Sequence, residues 1–84
     1  MERKTVLAFS LNYRINIGDK WIAVYRVDTF HGPLHEHRFW LREHRRKLDH
    51  LLHLPLNLVV DMYIKEIKEN FRKYREYYEY AKKP

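Results

Sequence analysis

The apolar period of this chain changes once, at Pro55, and that change limits the folds open to it. Ahead of it, residues 5–17 alternate: Leu7, Phe9, Leu11, Tyr13, Ile15 and Ile17 fall on one side, Ser10, Asn12, Arg14 and Asn16 on the other. Successive strand residues point to opposite faces, so the segment predicts a half-buried antiparallel strand. Beyond Pro55, Val60, Tyr63, Ile67, Phe71, Tyr74, Tyr78 and Ala81 step by three or four, the stripe of an amphipathic helix. Asp61–Lys65, Lys65–Glu69 and Glu69–Lys73 stand four apart and support its exposed side. Pro55 suits the first turn of that helix, where its missing N–H leaves no bond unmade.

Between these limits the chain reads as further strands. Gly18-Asp19-Lys20 predicts a hairpin turn, and Trp21 to Thr29 a second strand, central because both of its faces carry apolar groups. His35 to Leu41 predicts a third, with Phe39 and Leu41 continuing the face of His35 and His37 while Glu36, Arg38 and Trp40 lie opposite. Residues 42–54 suit a short helix by composition and a strand by the alternation of Leu48, His50 and Leu52. A turn near Arg45 and Arg46 followed by a fourth strand is the favoured reading. The expected fold class is therefore α+β, a single small domain over residues 1–84. It is an antiparallel meander of three or four strands with one long C-terminal amphipathic helix. That helix should bury Val60, Tyr63, Ile67 and Phe71 against Leu7, Phe9 and Leu11. At about 40 Å it outruns a strand of about 20 Å. Its tyrosine-rich end (Tyr74, Tyr77, Tyr78, Tyr80) should overhang the sheet as an interface, most economically in a homodimer.

With no cysteine in the chain, disulfides and thiolate metal sites are excluded. The apolar runs are too short to span a bilayer, and no charged-then-apolar leader opens the chain, so a cytoplasmic protein with no membrane partner is expected. Lysine and arginine outnumber aspartate and glutamate by 17 to 11, a net charge of +6 with neutral histidines. Such a surface attracts nucleic acid or an acidic partner. The same abundance of charge also suits the ion-pair networks of heat-stable proteins.

The densest chemistry lies between Asp28 and Arg38, where His31, His35 and His37 gather around a Gly32-Pro33 turn. A turn that sets His31 opposite His35 would set Asp28 opposite Arg38, clustering three imidazoles beside an ion pair. Two chemistries fit. A divalent metal such as zinc, held by His31, His35 and His37, would keep a position open for water, with Asp28 orienting one imidazole. Without a metal, the histidines would move protons during RNA cleavage, which needs a base for the 2′-hydroxyl and an acid for the leaving oxygen. Arg38, or the run Arg42, Arg45, Arg46 and Lys47, would then stabilise the phosphorane-like charge. A third reading makes the histidines partly exposed hairpin residues bonded to Asp28, Glu36 or backbone. His44, His50 and His53 read as surface or core-edge residues, and residues 42–47 as a solvated turn or a phosphate-contacting patch.

Residues 24–37 (VYRVDTFHGPLHEH) resemble the signature of the TumE-like toxins of type II toxin–antitoxin pairs and of related small archaeal proteins. In that group two strands lead into an arginine and an aspartate, then a His-Gly or His-His pair, then His-x-His. Glu69-Asn70-Phe71 and Tyr74 are similar to the C-terminal helix of the archaeal relatives. The resemblance implies a ribonuclease-like toxin neutralised by an antitoxin protein. Its matching residues are Arg26, Asp28, His31, His35 and His37, with Arg26 on the RNA. Where the toxins carry paired histidines, this chain has His31-Gly32. The competing expectations are a non-catalytic basic module for nucleic acid or an acidic protein, and an oligomeric scaffold.

Overall fold

The structure is a computed structural model that describes residues 8–30 and 33–82. Four strands, β1 (Ser10–Ile17), β2 (Lys20–Asp28), β3 (His35–Arg38) and β4 (Arg45–Lys47), form one antiparallel sheet in the order β1-β2-β3-β4. A 3-10 turn at Asp49–Leu51 leads to the helix α1 (Leu56–Ala81). The α+β meander with a long C-terminal helix is the fold the periodicities predict. The β1–β2 turn places Gly18 at φ 55° and Asp19 at φ 68°, the left-handed pair that a two-residue hairpin requires. Tyr13 pairs with Tyr25 but Arg14 with Ala23, so Val24 is the extra residue of a bulge. The bulge keeps Ile15 opposite Ile22 and Tyr13 opposite Tyr25 on the face toward α1.

The core lies between that face and the helix. Phe9, Ile15, Val24, Tyr25, Val27, Leu34, Leu48, Val59 and Tyr74 are buried together. Tyr74 stacks on both Tyr25 and Trp40, with ring centroids 5.0 and 5.1 Å away, and those two stack on each other at 6.4 Å, closing a triangle of rings. Those stacks reveal that part of the tyrosine end is core: Tyr74 is buried, Tyr78 half-buried, and only Tyr77 and Tyr80 stand exposed beside Trp40 and Leu41.

Several boundaries differ from expectation. Phe71 is 43% exposed and meets Tyr13 edge-on instead of filling the core. At about 100° per residue the covered stripe is centred between Ile67 and Tyr74 and extends toward Val59, Glu66 and Asn70, which leaves Phe71 on the far shoulder. Leu7, its expected neighbour, lies outside the described residues. Pro55 sits one position before the helix, extended at ψ 140°, and its carbonyl accepts from the amides of Leu58 and Val59. The third strand ends at Arg38, because the chain turns at Phe39 and Trp40 to put the indole under α1. The expected turn at Arg45 and Arg46 is itself the fourth strand. Residues 42–54 thus contribute that strand and the 3-10 turn, and no strand runs through Leu48, His50 and Leu52.

Candidate functional site on the open face of the sheet

Strand alternation sends Tyr25, Val27, Glu36 and Arg38 toward α1, and so it sends Arg26, Asp28, His35 and His37 to the opposite face. Two polar rows run across all four strands there. One is Ser10–Asp28–His35–Lys47 and the other Asn12–Arg26–His37–Arg45. Asn12 Oδ1 accepts from Arg26 Nε at 2.7 Å, and the same nitrogen lies 3.7 Å from Asp28 Oδ2.

His35 is buried. Its Nδ1 is 2.7 Å from the Pro33 carbonyl, which can only accept, so that nitrogen carries the proton. Its Nε2 lies 3.3 Å from Asp28 Oδ1, an oxygen that also accepts from the Phe30 amide. Held at Nδ1 by the Pro33 carbonyl and with Nε2 turned to Asp28, His35 is a fixed wall of the cluster. His37 is half-buried, with its ring 4.9 Å from His35 and 5.0 Å from His44. The Nδ1 atoms of His37 and His44 are 2.9 Å apart, a distance that requires one to donate and the other to accept. Burial first, then the neighbouring His35 and His44, hold the His37 imidazole below its ordinary pKa and favour its neutral form. Phe39 completes the group, parallel to His37 at 5.4 Å and tilted against His44 at 5.0 Å.

The residues expected from the sequence divide between the two faces. Asp28, His35, His37 and Arg26 come together, and Arg45 and Lys47 share their rows. His31 lies outside the described residues, and with it the expected His31–His35–His37 metal set. Among the described residues no group of three His, Asp or Glu side chains is placed to hold a metal ion. Asp28 does not face Arg38. It pairs with His35, while Arg38 pairs with Tyr25. The register differs by three residues from the expected one, and an odd shift exchanges faces. Arg38 therefore lies beneath α1 with Glu36, as does Arg46, which pairs with Glu36 across β3 and β4. Arg42 is exposed in the β3–β4 connection. His44 replaces the expected His31 among the described residues. Its arrival depends on the reversal at Phe39–Trp40, where the Arg38 amide donates to the His44 carbonyl at 2.7 Å. No spacing rule marks a histidine seven residues from His37. His50 and His53 are exposed, as expected.

Against protein families, residues 1–84 match the profile described as a domain of unknown function, DUF7718. The chain belongs to the DUF7718 family. No curated protein and no solved structure matches it. For this DUF7718 member, then, the chemistry rests on the open face itself: His37 in ring contact with both His35 and His44, Phe39 against His37 and His44, and Arg26, Arg45 and Lys47 in the same rows. No helix among the described residues is long and apolar enough to cross a membrane.

Proposed function

We propose that the open face binds single-stranded RNA and cleaves it without a metal, as a toxin-like ribonuclease would. The observation that carries this reading is the Nδ1-to-Nδ1 contact of His37 and His44 beside Arg26 and Arg45. With His37 Nδ1 donating, its Nε2 keeps a free lone pair, and His44 carries its proton on Nε2. His37 Nε2 takes the 2′-hydroxyl proton while the 2′-oxygen attacks phosphorus. The Nδ1 proton passes to His44, and His44 Nε2 gives its own to the departing 5′-oxygen. The P–O5′ bond breaks, leaving a 2′,3′-cyclic phosphate and a 5′-hydroxyl, with protons balanced. Arg26 and Arg45 offset the charge on the phosphorane oxygens. Asp28 and His35 are positioning residues that fix the wall behind His37.

The test is cleavage of a single-stranded RNA oligonucleotide in EDTA, with products read by mass spectrometry. Acid–base groups contribute about 100-fold to 10,000-fold, so His37→Ala and His44→Ala should each lower the rate at least 100-fold. Activity that needs added zinc would return the metal reading. Binding without cleavage, unchanged in His37→Ala, would make the chain a basic binding module. A toxin-like role places the protein in the cytoplasm beside its RNA. It also supplies a use for the exposed Leu41, Tyr77 and Tyr80 around the half-buried Trp40, as the contact for an antitoxin or a second copy. Sedimentation at micromolar concentration separates a homodimer from a monomer awaiting its partner.

A further inference from the structure

On the side of the sheet away from the histidines, two carboxylates, two guanidiniums and two phenols surround a cavity of about 230 Å³ between the sheet and α1. Glu36 is its anchor, 1% exposed. Oε2 accepts from the Tyr25 hydroxyl at 2.5 Å, while Oε1 lies 2.8 Å from Arg46 Nη2 and 3.2 Å from Arg38 Nε. Both contacts to Oε1 are ionic without aligned hydrogen bonds, and Oε1 and Arg38 Nε are sealed from solvent. One oxygen therefore holds two arginines by charge, and each guanidinium keeps most of its five N–H donors for something else. The Arg46 side chain is 60% exposed and that of Arg38 is 37% exposed, so those donors stand at the mouth. Tyr63 and Met62 form the wall opposite, and Glu66 spends Oε1 on the Tyr74 hydroxyl at 2.8 Å.

The ligand must be small, because pockets for drug-sized molecules run from about 300 to 1,000 Å³. It must also be an acceptor, because guanidinium offers donors only. Planar forks held in place by a buried acid suit the oxygens of a phosphate group, which arginine binds through paired N–H donors. Two carboxylates balance the two guanidiniums locally, so selectivity comes from converging donors, and the net charge of +6 draws the anion in from a distance.

We infer that the cavity under α1 is a phosphate-binding site in which Arg38 and Arg46 contact the anion, Tyr63 lines it, and buried Glu36 fixes the two guanidiniums. The site goes beyond the ribonuclease reading and does not depend on it, because the two face opposite sides of the sheet. Two sources share this chemistry: free phosphate and the 5′-phosphate of an RNA end, which could round the short β4 edge from the open face.

The test follows backbone and arginine Nε–H NMR signals during titration with inorganic phosphate at constant ionic strength. Saturable shifts at Arg38, Arg46 and Tyr63 are expected in the wild type, weakened at least tenfold in Arg46→Gln and unchanged in His37→Ala. Arg46 is exposed enough for the variant to fold, and its spectrum reports that directly. Shifts confined to the histidine face, or an Arg46→Gln protein that binds phosphate as the wild type does, would overturn the site. A second arm compares 5′-phosphorylated with 5′-hydroxyl RNA on His37→Ala protein. A tenfold preference for the phosphorylated end that Arg46→Gln removes supports the site with RNA as its source. Equal binding of the two RNAs beside saturable inorganic phosphate supports it with the free anion. RNA cleavage is read separately, so its failure leaves this result standing.

Discussion

At the scale of single residues, Glu36 and His37 are adjacent in sequence and answer to opposite surroundings. Glu36 is a buried charge, and its one directed hydrogen bond comes from Tyr25. Burial and that carboxylate together push the Tyr25 phenol far above its ordinary range, so the hydroxyl remains a donor. Tyr25→Phe should therefore cost about 1.5–3 kcal/mol, the range for hydrogen bonds to charged groups, measured by urea unfolding. A cost near zero would mean that the two guanidiniums already satisfy the carboxylate. His37 gives a pH dependence. Its folded pKa lies below the ordinary 6.5, so the folded state prefers the neutral ring. The resulting stability is complete above 6.5 and is lost as pH falls through the lowered folded value. The wild type should lose stability on acidification below 6.5 relative to His37→Gln, which lacks the group. Parallel curves for the two proteins would count against the lowered pKa.

At the scale of elements, the alternation of β1 and the three-to-four stepping of α1 were legible because each buries one face, and burial imposes a period. What the sequence did not show is how strands facing each other are offset. The connection between Asp28 and His35 can close in more than one register, and the two readings differ by three residues. That difference exchanged the faces of Arg38 and the histidines, so a pattern correct along each strand still misassigned the pair across strands. Phe71 was misread for a related reason: its spacing fits the stripe, but at about 100° per residue it falls at the edge of an arc that extends toward Val59 and Glu66 instead. Two substitutions separate stripe from shoulder. Tyr74→Ala, which removes a buried ring stacked on both Tyr25 and Trp40, should cost about 3–5 kcal/mol. Phe71→Ala should cost about 1 kcal/mol, the scale of one aromatic pair. Equal losses in thermal or urea unfolding would return Phe71 to the core. Gly18→Ala should also destabilise, by about 1 kcal/mol, although nothing lies within 4 Å of the added methyl, because φ of 55° disfavours a side chain.

At the scale of the molecule, the sheet separates two kinds of charge. The face under α1 sets Arg38 and Arg46 against the buried Glu36, and the open face arrays Arg26, Arg45 and Lys47 along rows that also carry the histidines and Asp28. If RNA lies along those rows, it displaces counterions at the three cations and few elsewhere. Release from a single strand follows about 0.7 per neutralised phosphate, so the logarithm of affinity should fall with the logarithm of salt at a slope of about −2. Arg26→Gln and Arg45→Gln should each make that slope shallower by about 0.7, while Arg42→Gln, in the β3–β4 connection, should leave it nearly unchanged. Fluorescence anisotropy of a labelled single-stranded RNA across a salt series measures all four proteins. A slope that responds equally to Arg42 and Arg26 would show that RNA senses only the net charge of +6 and not the open face. The charge alone attracts any polyanion; only the ordered rows make position matter, and the unequal response of the arginines is what distinguishes the two.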